Sequence, residues 1–153
     1  MLGTIRRVLR SDKDTHFTGG LAQNASEDEN IAIPGYSSAV LGSGAVRFFV
    51  REIRIISDQN LIWEVQLFAK DTFGTSDADT DSFLGAHQFA VADGVQNDGA
   101  GFFYYSAVGL DLFYHDADDT GEFHITLVNR SAGAKNAGAT GEIVVELGLE
   151  AAH

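Results

Sequence analysis

Asp77, Asp79 and Asp81 stand at alternate positions of the segment DADTD. On a curved loop that spacing brings carboxylate oxygens toward one hard cation. An EF-hand counted from Asp77 also needs Gly at its sixth position and a bidentate Glu at its twelfth. This chain has Ser82 and Gln88 there, and no helix is predicted on either side. The triplet therefore reads as a solvated acidic turn, and no metal or cofactor is expected. His115 and His124 form a second constellation. If the turn of residues 116–121 lays their strands side by side, they become cross-strand neighbours with Asp111 or Glu122 close by. Such a set suits a metal pair or acid–base chemistry. Both nevertheless fall in the polar phase of strands whose apolar phase is Leu110, Leu112, Tyr114 and Phe123, Ile125, Leu127. They are expected to be exposed surface histidines.

Nucleophilic chemistry has no support. The chain lacks cysteine and a G-x-S-x-G elbow, and Gly42, Ser43 and Gly44 are too short a run for a phosphate loop. With 22 Asp and Glu in 153 residues, paired carboxylates occur at every spacing and point to no glycosidase site. No enzyme is expected. Trp63 falls in the apolar phase of its strand and reads as core. One of Tyr104 and Tyr105 must face outward and is the better aromatic for a contact.

The elements that position these residues alternate with period two, the mark of half-buried strands. Val46, Phe48 and Val50 share one face, whereas Ile53 and Ile55 share the opposite parity, which predicts a β-bulge at Arg51 and Glu52. Leu61, Trp63, Val65, Leu67 and Ala69 form the clearest strand. The four turn residues 57–60 predict that it pairs with the preceding strand as an antiparallel hairpin. Phe83, Gly85, His87, Phe89 and Val91 alternate more weakly. The aromatic run of residues 102–105 reads as a strand covered on both faces, by a second sheet or by a neighbouring subunit, and broken by Gly109. Ile143, Val145, Leu147 and Leu149 point inward from the last strand, with Glu142, Glu146 and Glu150 toward water. Seven or eight such strands predict an all-β fold, an antiparallel β-sandwich of jelly-roll type. Residues 11–30 are polar without a period, and a short strand is expected at residues 31–33. Residues 1–30 thus read as an extended N-terminal arm and 31–153 as the sandwich domain.

The 153-residue length suits one domain. Absence of cysteine removes a disulfide framework, and no apolar run approaches the roughly 20 residues that span a bilayer. The opening MLGTIRRVLRSDKD lacks the apolar stretch of a secretory signal, so synthesis in the cytoplasm is expected and the sequons at Asn24 and Asn129 carry no meaning. Net charge is −12; the chain carries +1 up to residue 54 and −13 beyond it. An acidic body repels phosphate backbones, so neither nucleic acid nor membrane is an expected partner. The basic exception is Arg6, Arg7 and Arg10, interleaved with Ile5, Val8 and Leu9. These six residues are the expected partner-binding segment, bidentate toward carboxylates and apolar toward grooves.

A small, acidic, cysteine-free sandwich with a basic-apolar leader resembles small virion structural proteins of tailed bacteriophages. The residues that carry the likeness are 46–69 and the stretch HITLVNRSAGAKNAGATGEIVVELGL at 124–149. That stretch is similar to segments of head decoration (cement) proteins and of tail or fibre modules. The resemblance implies a virion protein made in the host cytoplasm. It would bind the major capsid protein or another virion protein, as a homo-oligomer with a trimer favoured, and stabilise the lattice. The alternative is a carbohydrate-binding or receptor-binding sandwich module of a tail or fibre. It would use Tyr104, Tyr105 or Trp63 for stacking and the Asp77 loop for calcium.

Overall fold

Strands that bury one face need a second layer over that face. In the computed structural model, which describes residues 7–10, 21–32, 47–70, 83–96, 101–115, 121–135 and 143–151, the alternating segments form nine strands. They are β1 (Arg7–Arg10), β2 (Ser26–Ala32), β3 (Arg47–Ser57), β4 (Trp63–Phe68), β5 (Phe83–Phe89), β6 (Val95–Gln96), β7 (Phe103–His115), β8 (Glu122–Asn129) and β9 (Ile143–Ala151). One sheet runs β1-β9-β3-β7-β6 and the other β2-β8-β4-β5, with antiparallel neighbours throughout. The protein is an all-β antiparallel sandwich.

Between the sheets, Ile53 and Ile55 of β3 and Val145 and Leu147 of β9 are fully buried, as are Trp63 and Val65 of β4 and Ile125 and Leu127 of β8. Each such side chain contributes about 1.5–3 kcal/mol over its exposed state. Trp63 is core, as its phase predicted.

The hairpin expected over residues 46–69 does not form. β3 pairs with β7 and β9, while β4 pairs with β5 and β8, so residues 58–62 arch from one sheet to the other. Apolar alternation in both strands is satisfied face to face across the core as well as side by side, and the sequence pattern does not separate the two. A tyrosine holds the arch: the Tyr105 hydroxyl accepts the Leu61 N–H at 2.9 Å and lies 2.6 Å from Asn60 Oδ1. The same reasoning corrects His115 and His124. β7 and β8 belong to different sheets, so the two histidines are not cross-strand neighbours.

Several local expectations also change. The strand placed at residues 31–33 is β2 and starts at Ser26, taking in Glu27, Asp28 and Glu29. Cross-strand polar pairs offset their poor strand propensity: Thr126 Oγ1 donates to Asp28 Oδ1 at 2.6 Å, and Asn30 Oδ1 lies 2.8 Å from His124 Nδ1. Residues 7–10, expected in a free arm, are paired as the edge strand of the first sheet. The phase of β5 slips at its start, so Phe83 is exposed against Phe68, and Val91 lies exposed in a 3-10 turn (Val91–Asp93). His124 and Glu146 are buried where water was expected.

The bulge predicted at Arg51 and Glu52 is present. Along β3 the register to β9 slips by one residue at Arg51, and across from it β7 carries Gly109, Leu110 and Asp111 opposite Arg51 alone. Gly109 adopts φ 72°, in the left-handed region that L side chains avoid. It bends β7 without ending it, because β3 hydrogen-bonds to both halves.

Candidate functional site

The bulge frees Arg51 from the strict alternation of β3 and turns its guanidinium across three strands. Its Nε donates to Glu150 Oε2 of β9 at 2.8 Å, its Nη1 to the Leu110 carbonyl of β7 at 3.3 Å, and Nη1 also meets Asp111. The same guanidinium sits 4.7 Å over the Phe49 ring. Hydrogen bonding to Glu150 holds the Arg51 pKa above its ordinary value.

This clamp marks the middle of the outer face of the first sheet. Toward one end, register places Tyr104, Ile56 and Val144 in one cross-strand row and Ser106, Arg54 and Glu146 in the next. Arg54, Ile56, Tyr104, Ser106 and Glu146 line a shallow groove of about 370 Å³. Tyr104 is 39% exposed, and Arg54 donates to Glu52 at 2.7 Å. Beyond the groove lies Val108, 69% exposed, and past the clamp Phe113, 40% exposed, edge-on to Phe49 at 5.7 Å. The face thus alternates apolar surface with internally paired charges. It can hold an aromatic-stacking or apolar partner, and among the described residues it offers no nucleophile paired with a base.

Tyr104, and not Tyr105, is the outward-facing tyrosine. Tyr105 is buried, its hydroxyl engaged at the arch, and desolvation raises its pKa above the ordinary tyrosine value. The aromatic run of residues 102–105 is therefore covered on one face only within the chain. Of the partner-binding segment, Arg7, Val8, Leu9 and Arg10 form β1, opposite Leu149, Gly148, Leu147 and Glu146 of β9. Ile5 and Arg6 lie outside the described residues, as does the Asp77, Asp79, Asp81 triplet. Among the described residues no three His, Cys, Asp or Glu gather as metal ligands, and no helix is long and apolar enough to cross a membrane.

At the arch, the same end of the sandwich as the groove, the second sheet is closed by polar clamps that the sequence does not advertise. Asn129 is buried: its Nδ2 donates to the carbonyls of Leu21 and Gly133 at 3.0 and 2.9 Å, and its Oδ1 accepts the Ser131 N–H at 2.9 Å. Arg130 makes a two-pronged pair with Glu64, both contacts 2.9 Å, which lowers the Glu64 pKa below the usual carboxylate value. Sequence reasoning also missed Arg54, Ser106 and Glu146 as one cluster. The parity change at Arg51 was the one signal that outward residues on either side of it share a face. No protein-family model and no curated protein matches the chain.

Proposed function

We propose that this chain is a non-enzymatic structural protein of a virion, of the decoration (cement) type. It binds the capsid lattice, docking through Ile5, Arg6, Arg7, Val8, Leu9 and Arg10, and stabilises the lattice. The observation that carries the reading is the outer face of the first sheet: Tyr104, Val108 and Phe113 stand exposed on it, and β1 lies at its border. Exposed apolar side chains set among internally paired charges suit a protein partner. Strand order adds support. Leaving β6 aside, β1-β9-β3-β7 over β2-β8-β4-β5 supports a jelly roll, the architecture of many viral capsid and lectin domains. Because such a fold serves many functions, the choice rests on the surface.

One departure from the sequence reading shapes the proposal. Residues 7–10 of the basic segment form a short, paired edge strand, so that part of its contact is preorganised and loses less entropy on docking. The test is cosedimentation with capsids of the particle that carries the protein. Deleting residues 1–13 leaves β9 as the new sheet edge and the sandwich folded, while capsid binding is lost; replacing Arg6, Arg7 and Arg10 by Ala weakens binding most at low salt. Capsid occupancy unchanged by either variant overturns the reading.

A glycan-binding module is the second reading, favoured by one observation: exposed Tyr104 stands beside Ser106, Arg54 and Glu146 in the groove. That reading requires a glycan-array signal lost in Tyr104→Ala, and calcium-dependent thermal stabilisation if the Asp77 loop takes part.

A further inference from the structure

Two rows of side chains cross the strands side by side at the groove. Register aligns Val95, Tyr104 and Ile56 in an apolar row, and Ser106, Arg54 and Glu146 in a polar row next to it. Exposure decides which of these groups a ligand meets. Tyr104 and Ser106 are exposed, and so is half of the Arg54 side chain, whereas Glu146 is buried and the Glu52 side chain is only 13% exposed. Arg54 uses its Nε alone, donating to Glu52 Oε1 at 2.7 Å; its two Nη groups have no partner among the described residues. Gly148 makes room for that arrangement. A Cβ at this position, which faces Glu52 across the strands, would stand 2.8 Å from the Glu52 Cβ and 3.1 Å from its Oε2. The carboxylate thus lies over β9 and holds the arginine from behind, with the Nη donors left to the groove.

We infer that the groove binds a neutral pyranose sugar, its ring stacked on Tyr104 and its hydroxyl oxygens accepting from the Arg54 Nη groups and the Ser106 hydroxyl. The inference rests on the glycan-binding reading and names the class of glycan. A pyranose carries a face of C–H groups and a rim of hydroxyls, which matches an apolar row beside a polar one. Charge separates neutral sugars from acidic ones. Glu52 cancels the charge of Arg54 at 2.7 Å, and Glu146 is a second carboxylate, so these three residues present no net positive charge. An acidic sugar would lose the hydration of its own carboxylate there without Coulombic gain. A cationic ligand meets the exposed Arg54 first, because both carboxylates are covered. A protein side chain is the poorer occupant, since an anchoring residue needs a pocket that desolvates it fully and this groove is shallow.

Titration calorimetry and saturation-transfer NMR on the full chain test it, with circular dichroism as the folding control. The neutral probes are cellohexaose, mannohexaose and xylohexaose; the acidic ones are hexagalacturonate and sialyllactose. At least one neutral probe is expected to bind with an affinity that salt leaves unchanged, and the acidic ones to bind more weakly. Tyr104→Ala and Arg54→Met should each weaken the neutral probe about tenfold. Val108→Ala, exposed on the same face outside the groove, should not alter it. Glu52→Gln leaves the Arg54 charge uncancelled and is expected to admit the acidic probes. Acidic probes that bind the unaltered chain more tightly than neutral ones overturn the inference and leave the glycan reading standing. Neutral binding that survives both Tyr104→Ala and Arg54→Met lies outside the groove and also overturns it. A chain that binds none of the five probes overturns the inference and the glycan reading together.

Discussion

The ammonium of Lys135, completely buried, lies 2.9 Å from Asp58 Oδ1 and ties the loop after β8 to the arch between β3 and β4. Asp58 itself keeps 28% of its side chain exposed. The two ends of the pair are therefore unequal. Removing Asp58 takes a carboxylate partner from a cation that water does not reach, whereas removing Lys135 leaves a carboxylate that is partly exposed. Asp58→Ala is expected to cost about 3–5 kcal/mol and Lys135→Met clearly less, read by urea denaturation. Equal losses would show that the pair acts by geometry alone.

Two tyrosines of β7 fasten the sheets at opposite ends. Tyr114 donates to the Glu122 carbonyl at 2.9 Å and accepts the His124 N–H at 3.2 Å, as Tyr105 serves the arch. Tyr105→Phe leaves the part-buried Leu61 N–H unmet and is expected to cost about 1 kcal/mol. The raised pKa of Tyr105 has a signed consequence. Its contribution is complete below the unfolded tyrosine pKa and fades as pH climbs toward the folded one, so Tyr105→Phe should flatten the alkaline limb of the stability profile.

Glu64 acts at the other end of the pH scale. Its pKa is lowered chiefly by hydrogen bonding to Arg130, so it stabilises the fold above the unfolded carboxylate pKa and stops doing so as pH falls through the folded one. Arg130→Met is expected to cost about 1 kcal/mol at neutral pH, since the pair is only partly buried. The difference from the unaltered protein should vanish in acid. A gap that persists below the carboxylate range would assign the loss to packing.

Gly109 is the backbone joint of the clamp. Its φ of 72° costs an L-residue about 1–2 kcal/mol, and no atom lies within 4 Å of the Cβ that Ala would add. Gly109→Ala should therefore lose about that amount with no steric addition. A larger loss, measured by thermal unfolding, would mean that the bulge rearranges.

Arg51 depends on that joint. Arg51→Lys keeps the charge but cannot bridge Glu150, Leu110 and Asp111 with a planar fork. Hydrogen exchange is expected to rise at residues 108–112 ahead of the remainder of β7. Uniform exchange along β7 would deny the clamp a local role.

What the chain determined by itself is the class of fold and the location of its irregularity. Period-two apolarity in residues 46–69 and 143–149 forces strands with one buried face, and the parity change at Arg51 marked the bulge. Those signals are local, because a strand's faces are set by its own backbone. Pairing is not local. The arch at residues 58–62, the separation of His115 from His124 and the edge position of β1 depend on which apolar faces meet. The same alternation serves a neighbour in the sheet or a partner across the core. Asp28 and Asn30 show the same limit from the polar side: β8 places Thr126 and His124 beside them, a pairing that their own positions in the chain do not reveal. The groove of Arg54, Tyr104, Ser106 and Glu146 gathers residues from three strands more than ninety positions apart at the extremes, and only tertiary contact brings them to one surface.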